Sequence, residues 1–441
     1  MKTSQTFFLR AFLAAAIAYT VLFIAFYLLM DPYLVVNTPR SWGFNARKPA
    51  VETDPHHLLK IYEVLRTAPD TLLAGSSDVA LGMNARSPAW PQAERPIFNV
   101  ATAWGSPDIA YRYLQHVLSQ HHVSLVVLGL DFEDALSHFD FASDVDSHML
   151  VHRDGSGDSM PKHYAEDLLR SSFSLASLVD SAVELVDNFH ENAPDLTIGG
   201  DIEASYPQRQ QIDLGAFPVM TLSEIALIRW YRGRPPDPQR LSSLRAFLDL
   251  CRKERTRAIL FINPIHADDL ELLHFIAQWP AYERWQRDLV SLVAEYTDAQ
   301  SDARVVLWDF SGYNSYSTEA ILKDGPPLRW FVDLQHYTKP LGDRIIARIF
   351  GAGDSQFGTQ LTLANIDEHL TAFTLQRQRY LAEHPVDARR IRDIYETVIT
   401  GNSLVCQRHA SICPKPRALG PASATRAITL KEQQSQLGVK P

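Results

Sequence analysis

Thr71-Leu72-Leu73-Ala74-Gly75-Ser76-Ser77-Asp78-Val79-Ala80-Leu81-Gly82 is the stretch on which the fold turns. Leu72, Leu73 and Ala74 run into a glycine and two hydroxyls. A short apolar run stopped by such a turn reads as a buried strand feeding a loop. In open α/β sheets ligands bind at the carboxyl ends of the strands. A serine there can be a nucleophile, provided that a base and an orienting carboxylate arrive from elsewhere. The competing reading is that Ser76 or Ser77 caps the helix that follows, as serines commonly do.

Outward from this stretch, strand and helix patterns alternate. Ile97–Ala101, Ser124–Leu130, Ala258–Asn263 and Val305–Phe310 are short apolar runs rich in β-branched residues, as buried parallel strands are. Helical spacing marks His57–Arg66, Asp108–Gln120, Gln239–Arg255, Tyr282–Thr297 and a segment from Lys339. The alternation predicts an α/β fold with about five parallel strands, wound with right-handed crossovers. Residues 138–236 interrupt it as an insertion. Within it Tyr164–Phe189 and Thr221–Tyr231 read as helical, and the remainder as polar or irregular. An insertion at a strand's carboxyl end either caps the site or merely fills space.

The amino terminus sets the compartment. Ala11–Met30 carries no charge, and twenty residues at about 1.5 Å each reach roughly 30 Å, the thickness of a bilayer's hydrocarbon core. Lys2 and Arg10 precede it and Asp31 follows, which places the short tail in the cytoplasm, although Arg40, Arg47 and Lys48 come further along. The apolar run meets Asp31-Pro32 without a small-residue cleavage site, so it reads as an uncleaved signal anchor. The expected division is a tail at 1–10, an anchor at 11–30, a connector at 31–69 and an α/β domain at 70–350. C-terminal helices at 351–405 and a flexible polar tail at 406–441 complete it.

The 441 residues carry a formal net charge of -9 with no block of like charges, which argues against a nucleic-acid partner. The three cysteines, Cys251, Cys406 and Cys413, show no repeated metal spacing, and no metal or other cofactor is expected. In an oxidising compartment Cys406 and Cys413 either pair or remain free thiols. The acidic run Asp131, Glu133, Asp134 lacks the loop spacing of a divalent-cation site.

The base and carboxylate that the opening serine requires come from Asp333-Leu334-Gln335-His336. On a helical turn, residues three apart project from one side. Asp333 can then hold the His336 imidazole in one tautomer while its other nitrogen faces a serine. Ser77 is the expected nucleophile, with Ser76 as the fallback. At the other strand tips, Asp131, Asn263 and His266 face the same crevice as substrate or oxyanion contacts, and Asp309, Ser311, Tyr313 and Asn314 follow the fifth strand.

With these blocks in place, the chain from about Asp70 to Phe350 resembles the SGNH (GDSL-like) hydrolase and acyltransferase superfamily. Gly75-Ser76-Ser77 resembles its first block, with serine replacing aspartate, and Asp333 to His336 resembles its last. Asn99 to Gly105 resembles the asparagine–glycine loop with spacing that differs by one, and Asp131 stands where the family has an asparagine. The resemblance implies a flavodoxin-like three-layer sandwich and a Ser77–His336–Asp333 triad. It further implies an oxyanion hole from the N–H groups of Ser77 and Gly105, with Asn263 as a further donor.

Anchored relatives that move acyl groups onto extracytoplasmic polymers, in teichoic-acid D-alanylation and alginate O-acetylation, are the branch it resembles most. The implied function is an esterase or O-acyltransferase acting on a cell-envelope or exported polysaccharide. A membrane acyl-donor protein is then a candidate partner. The alternative is an SGNH-fold protein that has lost catalysis and serves binding or assembly in polysaccharide export.

Overall fold

The computed structural model of the chain describes residues 2–40, 43–46, 48, 56–136, 149–152, 156–157, 159–189, 200, 234–297, 304–321, 328–389 and 392. In chain order, α1 (Lys2–Met30) and α2 (His56–Thr67) precede β1 (Thr71–Ala74) and α3 (Ser77–Gly82). Then come β2 (Ile97–Asn99), α4 (Pro107–Leu118), β3 (Leu125–Leu130) and α5 (Phe132–Leu136). The described part of the insertion forms α6 (Met160–Ser172) and α7 (Leu175–Asn188). The sheet resumes through α8 (Pro238–Lys253), β4 (Arg257–Ile262), α9 (Ala267–Phe275), α10 (Trp279–Ala294) and β5 (Val305–Asp309). The last elements are α11 (Lys339–Ile349), β6 (Thr359–Leu361) and α12 (Ile366–Glu383).

The six strands form one sheet in the order β2-β1-β3-β4-β5-β6. The first five pair in parallel, with Leu73 opposite Asn99 and Val127, and Leu128 opposite Leu260. β1 lies between β2 and β3, so successive connections leave it in opposite directions and open a crevice at its carboxyl end. That is where Gly75, Ser76 and Ser77 emerge.

Every residue of β1 and β3 is buried, because apolar side chains point to both sides of the sheet. Leu72, Val126, Leu128 and Leu260 join one hydrophobic cluster with α2, α4, α8 and α10. Leu73, Val127 and Phe261 join another with residues of α3 and α11. The alternation along each strand thus builds a core on both faces, the requirement for a largely parallel sheet.

Three expectations need correction. The sheet is mixed, because the unpredicted β6 adds antiparallel to β5 at the edge. At three residues, Thr-Gln-Leu, it offers no apolar run to detect. The Tyr164–Phe189 helix is two helices, broken at Phe173-Ser174. The Pro264–Ala267 loop leads directly into α9, which was not anticipated. α1 begins at Lys2, and its Gln5–Met30 portion, 26 residues at mean hydropathy 2.4, is long and apolar enough to cross a membrane. Cys251 is a buried free thiol on α8, whereas Cys406, Cys413, the tail and Thr221–Tyr231 lie outside the described residues.

Candidate active site

The two serines divide the two roles foreseen for them. Ser76 is extended (φ -82°, ψ -165°) and its Oγ accepts the N–H of Asp78 at 3.2 Å, so Ser76 is the N-cap of α3. Ser77 is the first helical residue. Gly75 supports this turn with φ +143°, a conformation side-chain-bearing residues rarely adopt, and a Cβ there would lie 2.5 Å from Val79 Cγ2. The strand-to-helix turn therefore needs Gly75, is capped by Ser76, and leaves the Ser77 hydroxyl partly exposed.

Asp333 and His336 lie in a loop, not on the helical turn expected from their spacing. A bridge between Phe331 and Tyr337 closes that loop, and both rings are fully buried. Asp333 Oδ1 accepts the backbone N–H groups of Gln335 at 2.9 Å and His336 at 2.7 Å. The carboxylate thus shapes its own loop, as aspartates do in turns. Its Oδ2 lies 2.8 Å from His336 Nδ1, and His336 Nε2 lies 2.8 Å from Ser77 Oγ. An ionised carboxylate only accepts, so Nδ1 carries the proton and Nε2 is free to accept the Ser77 O–H. The chain brings Ser77, His336 and Asp333 into one relay across more than 250 residues of sequence, their separation being 259.

The electrostatics around the relay are unusual. Burial pushes Asp333 up, but the neighbouring His336, its hydrogen bonds and the two loop N–H groups hold its carboxyl below the usual range. Burial, reinforced by the negative charge of Asp131, holds Asp78 well above it. Asp78 is completely buried, its Oδ1 3.9 Å from His336 Nε2. Burial and the carboxylates of Asp269 and Asp131 raise Glu133. Burial, together with Asp333 and Asp268, pushes Asp269 up to about 7. Burial thus disfavours the charged form of Asp78, Glu133 and Asp269, while the hydrogen bonds and the imidazole favour that of Asp333.

The remaining predicted contacts serve mostly to hold the walls. Asn263 Nδ2 donates to Asp131 Oδ1 at 2.7 Å, and Asn263 Oδ1 accepts the Tyr337 hydroxyl at 3.1 Å. The Asn263 amide is therefore oriented by the strand tip beside it and by the loop that carries His336. Gly105 donates its N–H to the Thr102 carbonyl at 2.9 Å, and a Cβ there would fall 1.9 Å from the Gly75 carbonyl oxygen. This glycine lets the loop after β2 press against the nucleophile turn. The Asn99 side chain ties that strand to α3 through the carbonyls of Val79 and Met83.

His266 is a correction. It is 2% exposed, and both ring nitrogens are taken. Nδ1 accepts the Asp268 N–H at 3.1 Å, and Nε2–H donates to the Glu319 carbonyl at 2.8 Å. Its backbone N–H also donates to the Leu334 carbonyl at 2.8 Å, inside the Asp333–His336 loop. His266 caps α9 and fixes the Asp333–His336 loop from behind. Asp309, Ser311 and Tyr313 likewise point into a structural network: Asp309 meets His369 of α12 at 2.7 Å, and Tyr313 donates to Glu271 at 2.5 Å.

Sequence reasoning missed Tyr337, Gln335 and Asp78. Gln335 donates to Glu133 Oε2 at 3.1 Å and so braces the loop against α5. Its position inside Asp-x-x-His was the one available signal. Among the described residues no cluster of three or more His, Cys, Asp or Glu is arranged to hold a metal ion. Comparison with protein-family models and with curated proteins finds no match to this chain.

Proposed function

We propose that this chain is a membrane-anchored, SGNH-like serine esterase or O-acyltransferase acting on a cell-envelope or exported polysaccharide. The observation that carries the reading is the Asp333–His336–Ser77 relay, with 2.8 Å at each of its two links. Its position at the carboxyl end of β1, beside the point where strand order reverses, adds support. α1 is the anchor, with Lys2 and Arg10 on the cytoplasmic side and the α/β domain in the extracytoplasmic space.

In this reading His336 Nε2 takes the Ser77 proton as Oγ attacks the acyl carbonyl carbon. Asp333 holds the ring and favours the imidazolium that forms. The tetrahedral intermediate collapses, the leaving alkoxide takes the proton from Nε2, and the acyl group stays on Ser77. A sugar hydroxyl or water then gives its proton to Nε2 and attacks the ester carbon, the bond to Ser77 Oγ breaks, and Oγ takes the proton back from Nε2 as the acylated product leaves. The Ser77 N–H, at the first position of α3, has no helical acceptor and is one donor for the oxyanion. Burial and the charge of Asp131 hold the Asp78 carboxyl beside it well above the usual range, which disfavours a negative charge next to that oxyanion.

A second reading rests on a specific observation. The Gly105 N–H already serves Thr102, and a carboxylate, Asp131, stands at the third strand tip. A site with so incomplete an oxyanion hole fits a protein that binds a polysaccharide during export without acylating it. Fluorophosphonate labelling of the full chain in detergent separates the two readings. The enzyme reading predicts labelling that disappears in Ser77→Ala and persists in Ser76→Ala. Absence of labelling throughout pH 6 to 9, in folded protein, leaves the binding reading in its place.

A further inference from the structure

The second helix of the α6–α7 hairpin is built inside out. On α7 the buried side chains are Ser177, Ser181 and Glu184, each at most 1% exposed. The outward side chains are apolar: Leu175 is 74% exposed, Val179 54%, Val183 41% and Val186 54%. Phe173 at the bend and Phe189 at the far end continue the apolar face at 63% and 75%. α6 buries His163 and Asp167 and exposes Leu169, but Lys162, Glu166 and Arg170 share its outward face and Tyr164 and Leu168 pack against the core, so the inversion belongs to α7. A helix in a water-soluble protein turns its apolar stripe inward. Contiguous exposed apolar surface on this scale marks a contact with something apolar.

The inward polar face is tied to the rest of the chain by specific bonds. Glu184 pairs with Lys48 at 2.7 Å, and Lys48 Nζ also donates to the Met30 carbonyl at 2.6 Å. The Tyr33 hydroxyl donates to Asp180 at 2.5 Å, and the Tyr62 hydroxyl to Asp167 at 2.7 Å. These bonds fix which face of α7 points outward. No rotation of the helix can hide the apolar face without breaking them.

The neighbour of the hairpin says what covers that face. α6 and α7 both pack against α1. Along α1 the side chains of residues 5–22 are all exposed, and full burial occurs only at Tyr27 and Met30. With Arg10 at one interface, roughly 30 Å of hydrocarbon takes about twenty residues of helix, which reaches Met30. The stretch of α1 that receives the hairpin therefore lies within the outer half of the bilayer. α7, 14 residues long, spans about 21 Å at 1.5 Å per residue, too short to cross the bilayer. Resting on the anchor reading of α1, we infer that α7 is embedded in the outer leaflet beside the anchor. Its apolar face meets lipid acyl chains and holds the α/β domain at a fixed orientation on the membrane.

Nitroxide accessibility in full-length protein tests this, after reconstitution into phosphatidylethanolamine/phosphatidylglycerol vesicles in a Cys406→Ser, Cys413→Ser background. Spin labels go on Val179→Cys, Val183→Cys and Phe189→Cys, with Ile17→Cys as the anchor control and Lys253→Cys as the solvent control. Retained fluorophosphonate reactivity or an unchanged circular dichroism spectrum certifies folding. The expected result at the three hairpin sites is high oxygen accessibility with a several-fold loss of nickel-chelate accessibility relative to Lys253→Cys. Nickel accessibility equal to that site overturns the inference. So does low access to both reagents, which would mean a protein cover. If Ile17→Cys also reports solvent, the anchor reading itself fails. If Ile17→Cys reports lipid and the hairpin sites do not, the hairpin inference alone fails.

Discussion

The catalytic loop and the α6–α7 hairpin both bury polar side chains, to opposite ends. Around Asp333 the buried groups converge on one partly exposed hydroxyl, and each link fixes the next: His266 the loop, the loop the imidazole, the imidazole Ser77. On the hairpin the buried groups point at the domain, so the apolar side chains are the ones left outside. In the proposed reading, polar burial creates a reactive position in the first case and an orientation in the second. Substitutions that cut one polar link in each region therefore fail differently, in activity on one side and in stability on the other.

The sharpest contrast comes from Ser77→Ala. It should abolish acyl transfer, a fall of at least about 10⁴-fold in turnover or ~5.5 kcal/mol of transition-state stabilisation, with thermal stability unchanged. Asp333→Asn should cost about as much, because an amide in its place lets the imidazole take the wrong tautomer. Ester hydrolysis beside a melting curve reads both. On the hairpin, Glu184→Gln leaves the Lys48 cation buried with no counter-charge and should destabilise the fold by about 3–5 kcal/mol. Denaturant titration in detergent measures it, and the double change Lys48→Met, Glu184→Leu should be milder.

A third effect is pH-linked. Asp269 keeps its proton in the native state up to about pH 7, whereas the unfolded chain releases it near the ordinary carboxylate value. The native state thus binds the extra proton between these limits, and stability falls as pH rises through them, by up to about 1.4 kcal/mol per unit. Asp269→Asn should flatten that slope in melting temperatures recorded from pH 4 to 7. The smallest effect belongs to Ser76→Ala, which removes a helix cap and should cost about 1 kcal/mol while leaving Ser77 reactive.

Much of the sheet was legible because its chemistry is local. Leu72–Ala74, Leu125–Leu130 and Ala258–Ile262 are apolar on consecutive residues, a pattern that only two-sided burial explains. The Ser77 and Asp-x-x-His pairing was legible as types and order, since one block follows the first strand and the other precedes the helix after the fifth. Their distance was not legible, because it depends on a loop closed by Phe331 and Tyr337 rather than on helical spacing. β6 escaped because edge strands of three residues carry little pattern. His266 misled because a histidine at a strand tip has the same sequence signature whether it faces substrate or caps a helix. Periodicity also marked the hairpin as helical, but as one helix rather than two, and without its direction. An apolar stripe has the same period whether it faces a core or a bilayer, and what orients α7 is Glu184 on the opposite face, paired with Lys48.

The central claim is that Ser77 carries the acyl group. Full-length protein mixed with an activated ester such as p-nitrophenyl acetate, quenched in acid during the first turnover and mapped by peptide mass spectrometry, tests it directly. The account predicts a single acetyl adduct on Ser77 that is absent from His336→Ala. An unmodified Ser77 in folded protein, or an adduct on Ser76 alone, contradicts it.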